Sequence, residues 1–130
     1  MAKHQELPVY KALYIYVREL YKLKTELPKS LKHDAGHQVF QSALRCLRFV
    51  VIANGSNKKT PILRELWLEI DFQWTGLRLI YDLRGMSQGR YKVLGERLVE
   101  IQRQTSAWME WERKQPAAVP QSGAGMPGPC

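Results

Sequence analysis

The chain has 130 residues, 45% of them hydrophobic, and its 20 Lys and Arg against 12 Asp and Glu give a formal net charge of +8. That length suits one domain with a hydrophobic core of its own, which excludes the small scaffolds that depend on disulfides or a structural metal. The basic excess favours anionic partners. Residues 1–6 are polar, no apolar core follows them as in a signal peptide, and no apolar run is long enough to span a bilayer, so we expect a cytoplasmic protein and no membrane.

Prolines, glycines and capping residues divide the chain into four long segments with helical rather than strand periodicity. These residues are Pro8, Pro28, Ser30, the turn at 54–57, Thr60 with Pro61, Gly85 and Ser87. Ser30, Thr60 and Ser87 are predicted N-caps, because their hydroxyl groups can accept a hydrogen bond from the first helical turn. The predicted organisation is an N-terminal extension over 1–7, a helical domain over 8–114 and a disordered Pro/Gly-rich tail over 115–130.

Each segment carries one apolar stripe. The first has steps of four and three at Val9, Leu13, Tyr16, Leu20, Leu23 and Leu27. The second is predicted to bury Phe40, Ala43, Leu47 and Val50, with Leu44 and Val51 beside them. The third has Leu63, Leu66, Ile70, Trp74, Leu77 and Tyr81, and the fourth has Tyr91, Leu94, Leu98, Ile101, Thr105 and Trp108. Four amphipathic helices with short connections predict an all-α fold, an up-down-up-down four-helix bundle.

The third helix has a second apolar face opposite its core stripe. This face comprises Leu68, Phe72, Leu79 and Leu83, and the second helix adds Phe49 and Ile52 on its outer side. Four helices cannot cover such a face, and a monomer rarely leaves one in water. We therefore predict that the chain self-associates through these six residues. Coverage by the tail or by another protein is the alternative.

Positive charge is concentrated in the first half of the chain. Residues 1–59 hold 11 basic and 4 acidic residues, whereas residues 60–130 hold 9 and 8. The candidate nucleic-acid-binding residues there are Lys11, Arg18, Lys22, Lys29, Arg45, Arg48, Lys58 and Lys59, and Tyr10, Tyr14 and Tyr21 flank the basic face of the first helix. Phosphates pair with Lys and Arg, and exposed bases stack on rings, so the pattern favours nucleic acid. A basic face that is only solvated, or that docks an acidic protein, is the alternative.

Two short motifs resemble catalytic signatures without their context. HDAGH at 33–37 resembles the HExxH zinc motif with Asp in place of Glu, but no third ligand is evident, so capping and surface roles are favoured. GMSQG at 85–89 resembles a nucleophile elbow, but a helix precedes it where the elbow requires a strand. We therefore predict no enzymatic activity, no metal and no cofactor.

A longer set of residues carries a family resemblance. It consists of 7–14 (LPVYKALY), 27–29 (LPK), 53–54 (AN), 58–59 (KK) and 77–83 (LRLIYDL), then Tyr91, Leu94, Leu98, Glu100, Ile101, Arg103 and Trp108. With these residues in this order, over about 7–112, the chain resembles the accessory variability determinant proteins of diversity-generating retroelements, which are four-helix-bundle proteins. It departs from them at Gln102, where the family often has Gly, and at Ser106 with Ala107, where a Gly-rich pair is usual.

The resemblance implies a non-catalytic accessory function. Such proteins form homopentameric, positively charged barrels that bind the element's reverse transcriptase and template RNA. They support mutagenic cDNA synthesis and retrohoming, so RNA, an RNA/DNA hybrid or DNA is the implied ligand. Lys22 and Lys29 match positions where the family is usually basic, and Arg78 and Arg103 match family arginines and so become candidates. The chain also resembles proteins encoded by intervening sequences of large-subunit ribosomal RNA, and an adaptor that binds only proteins is the remaining alternative.

Overall fold

The computed structural model describes residues 3–116. A 3-10 turn at His4–Glu6 precedes five helices: α1 (Pro8–Glu26), α2 (Lys29–Lys32), α3 (Ala35–Asn54), α4 (Thr60–Asp82) and α5 (Gln88–Arg113). Within residues 3–116 there is no strand, so the predicted all-helical fold is confirmed. The predicted tail lies outside the described residues from position 117 onward.

The four long helices surround a single core. α1 packs against α3 and α5, and α4 packs against the same two helices on the other side. Short connections join successive helices, so their directions alternate around the bundle. The six predicted core residues of α1 are all buried, as are Leu63, Leu66, Ile70 and Leu77 of α4 and Leu94, Leu98, Ile101 and Thr105 of α5. Trp74, Tyr81, Tyr91 and Trp108 are half-buried at the edges of the core.

The buried face of α3 differs from the prediction. It consists of Gly36, Val39, Ser42, Ala43, Cys46, Val50 and Ala53. Phe40 and Leu47 are only half-buried, and Leu44 and Val51 are exposed. The small side chains on this face let α3 approach α4 so closely that a Cβ atom built on Gly76 would lie 2.4 Å from Cγ2 of Val39. Close packing of small residues therefore decides the orientation of α3, and the larger apolar residues lie at its rim.

The helix boundaries agree with the prediction at Ser87 and differ at Ser30 and Thr60. The Ser87 hydroxyl accepts a 3.0 Å hydrogen bond from the backbone N–H of Arg90, as expected for an N-cap. Ser30 lies inside the separate short helix α2, and α3 begins only after Asp34, so Ser30 does not cap the second long helix. Thr60 is the first residue of α4 and Lys59 precedes it at the N-cap position.

α4 ends at Asp82, three residues before the predicted end at Gly85, and Arg84 between them has a left-handed backbone (φ 64°). The N–H of Gly85 donates a 2.8 Å hydrogen bond to the carbonyl oxygen of Ile80. A Cβ atom at Gly85 would lie 2.7 Å from Cγ2 of Ile80, so glycine is required here for close approach rather than for its φ angle.

Candidate nucleic-acid interface

The outward face of α1 carries three exposed cations. Lys11, Arg18 and Lys22 lie on the side of the helix opposite its core stripe, and all three are exposed. They point outward because the unbroken apolar stripe fixes which side of α1 packs inward. None of the three forms an ion pair within residues 3–116.

Both acidic residues of α1 face α5 instead. Glu19 forms an ion pair with Arg97 at 3.2 Å, and Glu26 forms one with Arg90 at 3.0 Å. These two pairs neutralise half of the four acidic residues in the first 59 positions. The outward face of α1 therefore presents three cations that are unpaired within the described residues, while the carboxylates at its edge are paired with arginines of α5.

Tyrosine rings lie beside this basic row. Tyr14 and Tyr21 are 50% and 52% exposed, which leaves half of each side chain accessible to a ligand. The ring of Tyr14 stacks with that of Tyr10 at 6.4 Å between centroids, and the ring of Tyr21 lies 5.5 Å from that of Phe40 on α3. A cleft of about 450 Å³ opens beside Tyr14, and its lining is Gln5, Tyr10, Lys11, Tyr14 and Ile15.

The candidates on α3 and in the loops fall into two groups. Lys29, Arg48 and Lys58 are exposed and form no ion pair within the described part of the chain. Arg45, in contrast, pairs with Glu69 of α4 at 3.1 Å.

Lys59 is occupied within the fold. Its Nζ donates hydrogen bonds to the carbonyl oxygens of Ala53, Asn54 and Ser56 at 3.0, 3.4 and 2.6 Å. A cation at this position satisfies carbonyls at the C-terminus of α3 and interacts favourably with the helix dipole. We therefore assign Lys59 a capping function rather than contact with a ligand. The sequence alone did not reveal this capping function.

Arg78 and Arg103 lie on the other half of the bundle, and each is paired within its own helix. Arg78 contacts Asp82 at 3.0 Å, and Arg103 contacts Glu100 at 2.6 Å. Hydrogen bonds from Arg103 and Gln104 lower the pKa of Glu100 to about 2, so this carboxylate stays charged and paired at neutral pH. The ten candidates therefore do not form one surface: six are without ion pairs, and four are engaged within the chain.

The second apolar face of α4 lies on its outward side, as predicted. Leu68, Phe72, Leu79 and Leu83 are all exposed, and Ile52 of α3 is exposed too. The expectation that Phe49 lies outside was wrong, because its side chain is half-buried and packs against the core. The same orientation of α3 that buries Val39 and Cys46 turns Phe49 toward the interior.

The residues of the two motifs with catalytic resemblance lie at helix ends and in connections between helices. His33 follows α2 and His37 lies in the first turn of α3, so the pair does not share one helix, and both side chains are exposed. Within residues 3–116 no three His, Cys, Asp or Glu side chains are grouped to hold a metal ion. Ser87 of the second motif is the N-cap of α5.

Gln102, a departure from the family pattern, has a packing function in this chain. Its Oε1 accepts a 2.9 Å hydrogen bond from Nε1 of Trp74 and so links α5 to α4. Ser106 and Ala107 are exposed, so their side chains do not set how closely α5 packs.

No protein-family model matches the sequence, and no curated protein matches it. Across the described residues, no helix combines the length and apolar character needed to cross a membrane.

Proposed function

We propose that this protein binds nucleic acid through the outward face of α1. It assists an enzyme without catalysing a reaction itself. The observation that supports this best is the distribution of charge on α1. Three cations face outward, while both carboxylates of the helix are paired with arginines of α5. A polyanion approaching this face meets the carboxylates of α1 only as ion pairs with arginines of α5, and each phosphate it places beside the three cations releases counterions.

The resemblance to accessory variability determinant proteins makes the proposal more specific. In that form, the protein serves a diversity-generating retroelement in the cytoplasm. It binds the template RNA or its cDNA together with the element's reverse transcriptase, and so supports mutagenic cDNA synthesis and retrohoming. The polymerase chemistry belongs to the reverse transcriptase.

Self-association is the second part of the proposal. The exposed stripe of Leu68, Phe72, Leu79 and Leu83 runs along α4, on a different helix from the basic face. A ring of copies, a pentamer by resemblance, would bury these stripes between neighbours and leave α1 accessible on each copy. Each copy adds the same excess of positive charge, so assembly strengthens attraction for a long polyanion.

The experiment is binding of a structured RNA, followed by fluorescence anisotropy and by mass from light scattering. We expect an oligomer that shifts to a larger complex with RNA. Reversing Lys11, Arg18 and Lys22 to Glu together should abolish the shift. The matched control reverses Arg64, Arg84 and Lys92, three exposed cations of the second half without ion pairs among the described residues.

Equal losses in the two triple variants would assign the effect to net charge and contradict the α1 interface. A wild-type protein that ignores RNA but binds a reverse transcriptase would establish the adaptor alternative instead.

A further inference from the structure

We propose that the nucleic acid on α1 is single-stranded, with bases stacked on Tyr14 and Tyr21 and phosphates paired with Lys11, Arg18 and Lys22. This inference rests on the proposed function and specifies its ligand. It follows from the positions of the rings among the cations.

The rings and the cations form two parallel rows along α1. Tyr14 and Tyr21 are two helical turns apart and lie on one side of the basic row, toward α3, as the contact of Tyr21 with Phe40 shows. Arg18 falls between them along the axis. Lys11 and Lys22 lie at the two ends of the row.

The two rings can stack only on bases that have left a base stack. Within a duplex both faces of each base are covered by neighbours about 3.4 Å away along the strand, so no face is open to a tyrosine ring. At about 1.5 Å of rise per residue, Tyr14 and Tyr21 are roughly 10 Å apart along the helix, a distance that a few nucleotides of a single strand can span. A single strand leaves its bases free to reach both rings.

The rings are also held in place while remaining accessible. Tyr10 packs against Tyr14, and Phe40 packs against Tyr21. Both rings are therefore already partly ordered, and less conformational entropy is lost when a base stacks on them. Their half-exposed faces can accept any base, since every base has a π-face, and this gives binding with little sequence preference.

The cleft beside Tyr14 offers a place for one base. Its lining combines the ring of Tyr10 and the aliphatic side chain of Ile15 with the amide of Gln5, which can both donate and accept hydrogen bonds. Lys11 lines the same cleft and can reach the phosphate of the nucleotide bound there. A phosphate contact and a stacking surface are therefore adjacent at this end of α1.

The test compares two probes of equal strand length, a mixed-sequence single-stranded RNA of about 12 nucleotides and the duplex formed from it. Tyr14→Leu and Tyr21→Leu together should weaken single-strand affinity by roughly a hundredfold, since each base-aromatic stack is worth about tenfold. Duplex affinity should stay within about twofold. Phe at both positions should restore single-strand binding, because the ring and not the hydroxyl carries the interaction. Trp111→Leu is the control, since Trp111 is an equally exposed aromatic residue of α5.

Each result has a distinct meaning. If the double Leu variant keeps its single-strand affinity while the charge reversal of Lys11, Arg18 and Lys22 removes it, the stacking inference is wrong and the proposed function stands. Duplex binding as tight as single-strand binding in the wild-type protein would also overturn the inference. If the wild-type protein binds neither probe, both proposals fail together.

Discussion

The hydroxyl group of Tyr16 on α1 donates a 2.6 Å hydrogen bond to Oε1 of Gln73 on α4, across the centre of the bundle. The Gln73 amide nitrogen donates in turn to the carbonyl oxygen of Val39 on α3, at 2.9 Å. Both side chains are buried. Because a buried polar group is costly unless it is hydrogen-bonded, this chain of bonds favours one relative placement of three helices.

Removing the Tyr16 hydroxyl should destabilise the fold. Tyr16→Phe leaves Oε1 of Gln73 buried without a donor, so we expect the free energy of unfolding to fall by about 1–3 kcal/mol. The double variant Tyr16→Phe with Gln73→Leu should recover part of that loss, because no orphaned acceptor remains. Urea denaturation of both single variants and the double variant measures the coupling. Strictly additive losses would show that the two side chains act independently.

Stability should decline in alkali. Burial raises the pKa of Tyr16 and of the Cys46 thiol above their ordinary values of 10.0 and 9.0. The charge of Cys46 adds to the rise for Tyr16, and the charge of Glu69 adds to the rise for Cys46. Both pKa values are raised by folding, so this stabilisation is complete below about pH 9. It decreases above pH 9, where the unfolded chain releases protons that the folded chain retains, by up to about 1.4 kcal/mol per group per pH unit.

Urea midpoints at pH 8 and pH 10.5 test this dependence. Cys46→Ala and Tyr16→Phe should each reduce the difference between the two midpoints. An unchanged difference in both variants would assign the alkaline loss to other groups.

Gly76 and Gly89 should respond oppositely to alanine. A Cβ atom at Gly76 meets Val39 at 2.4 Å, so Gly76→Ala should force α3 and α4 apart and lower stability by about 1–3 kcal/mol. At Gly89 the nearest atom lies 4.0 Å away, so Gly89→Ala should raise stability by about 0.5 kcal/mol through helix propensity. Thermal unfolding of the two alanine variants measures these changes. Equal shifts of the melting temperature would contradict the close approach at Gly76.

Lys58 and Lys59, adjacent in sequence, should separate binding from folding. Lys59→Ala removes the cation that bonds three carbonyl groups at the end of α3, so the melting temperature should fall while RNA affinity changes little. Lys58→Ala should leave the melting temperature unchanged and weaken RNA binding slightly, with a smaller salt dependence. Calorimetry and binding assays on both variants provide the comparison, and a stable Lys59→Ala protein would remove the capping assignment.

If the chain self-associates through α4 as proposed, Phe72→Glu should yield a monomer, because a charge in the middle of the outward α4 stripe is costly to bury between copies. Val99→Glu is the matched control, since Val99 is an apolar residue on α5 that is 56% exposed, against 43% for Phe72. Light scattering measures the mass of each. An intact oligomer in Phe72→Glu, or dissociation by Val99→Glu alone, would place the interface elsewhere.

How far the sequence predicts the fold depends on the helix. In α1 the apolar residues are large and evenly spaced, so the six predicted residues from Val9 to Leu27 are all buried, and Val17 is the buried residue that the pattern missed. In α3 the buried residues include Gly36, Ser42 and Ala43, whose small size allows close contact with α4 but gives a weak hydrophobic signal. Ala43 and Val50 are buried as predicted, but the larger residues Phe40 and Leu47 drew the predicted stripe toward the rim of the core.

The candidate site was predicted in the same uneven way. The outward placement of Lys11, Arg18 and Lys22 follows from the α1 stripe alone, and the structure has them there. The engagement of Arg45 with Glu69 depends on which helices become neighbours, as does the turning of Glu19 toward Arg97. Periodicity within one segment carries no information about such contacts.

The net charge of the chain is divided unequally between its two halves. Residues 1–59, which include α1, carry a net charge of +7, and residues 60–130 carry +1. A protein with this polarity turns its α1 side toward a polyanion before the two surfaces touch, because the long-range field exerts a torque on it. Its rate of capture should therefore fall steeply as ionic strength rises, even where the short-range contacts are unchanged.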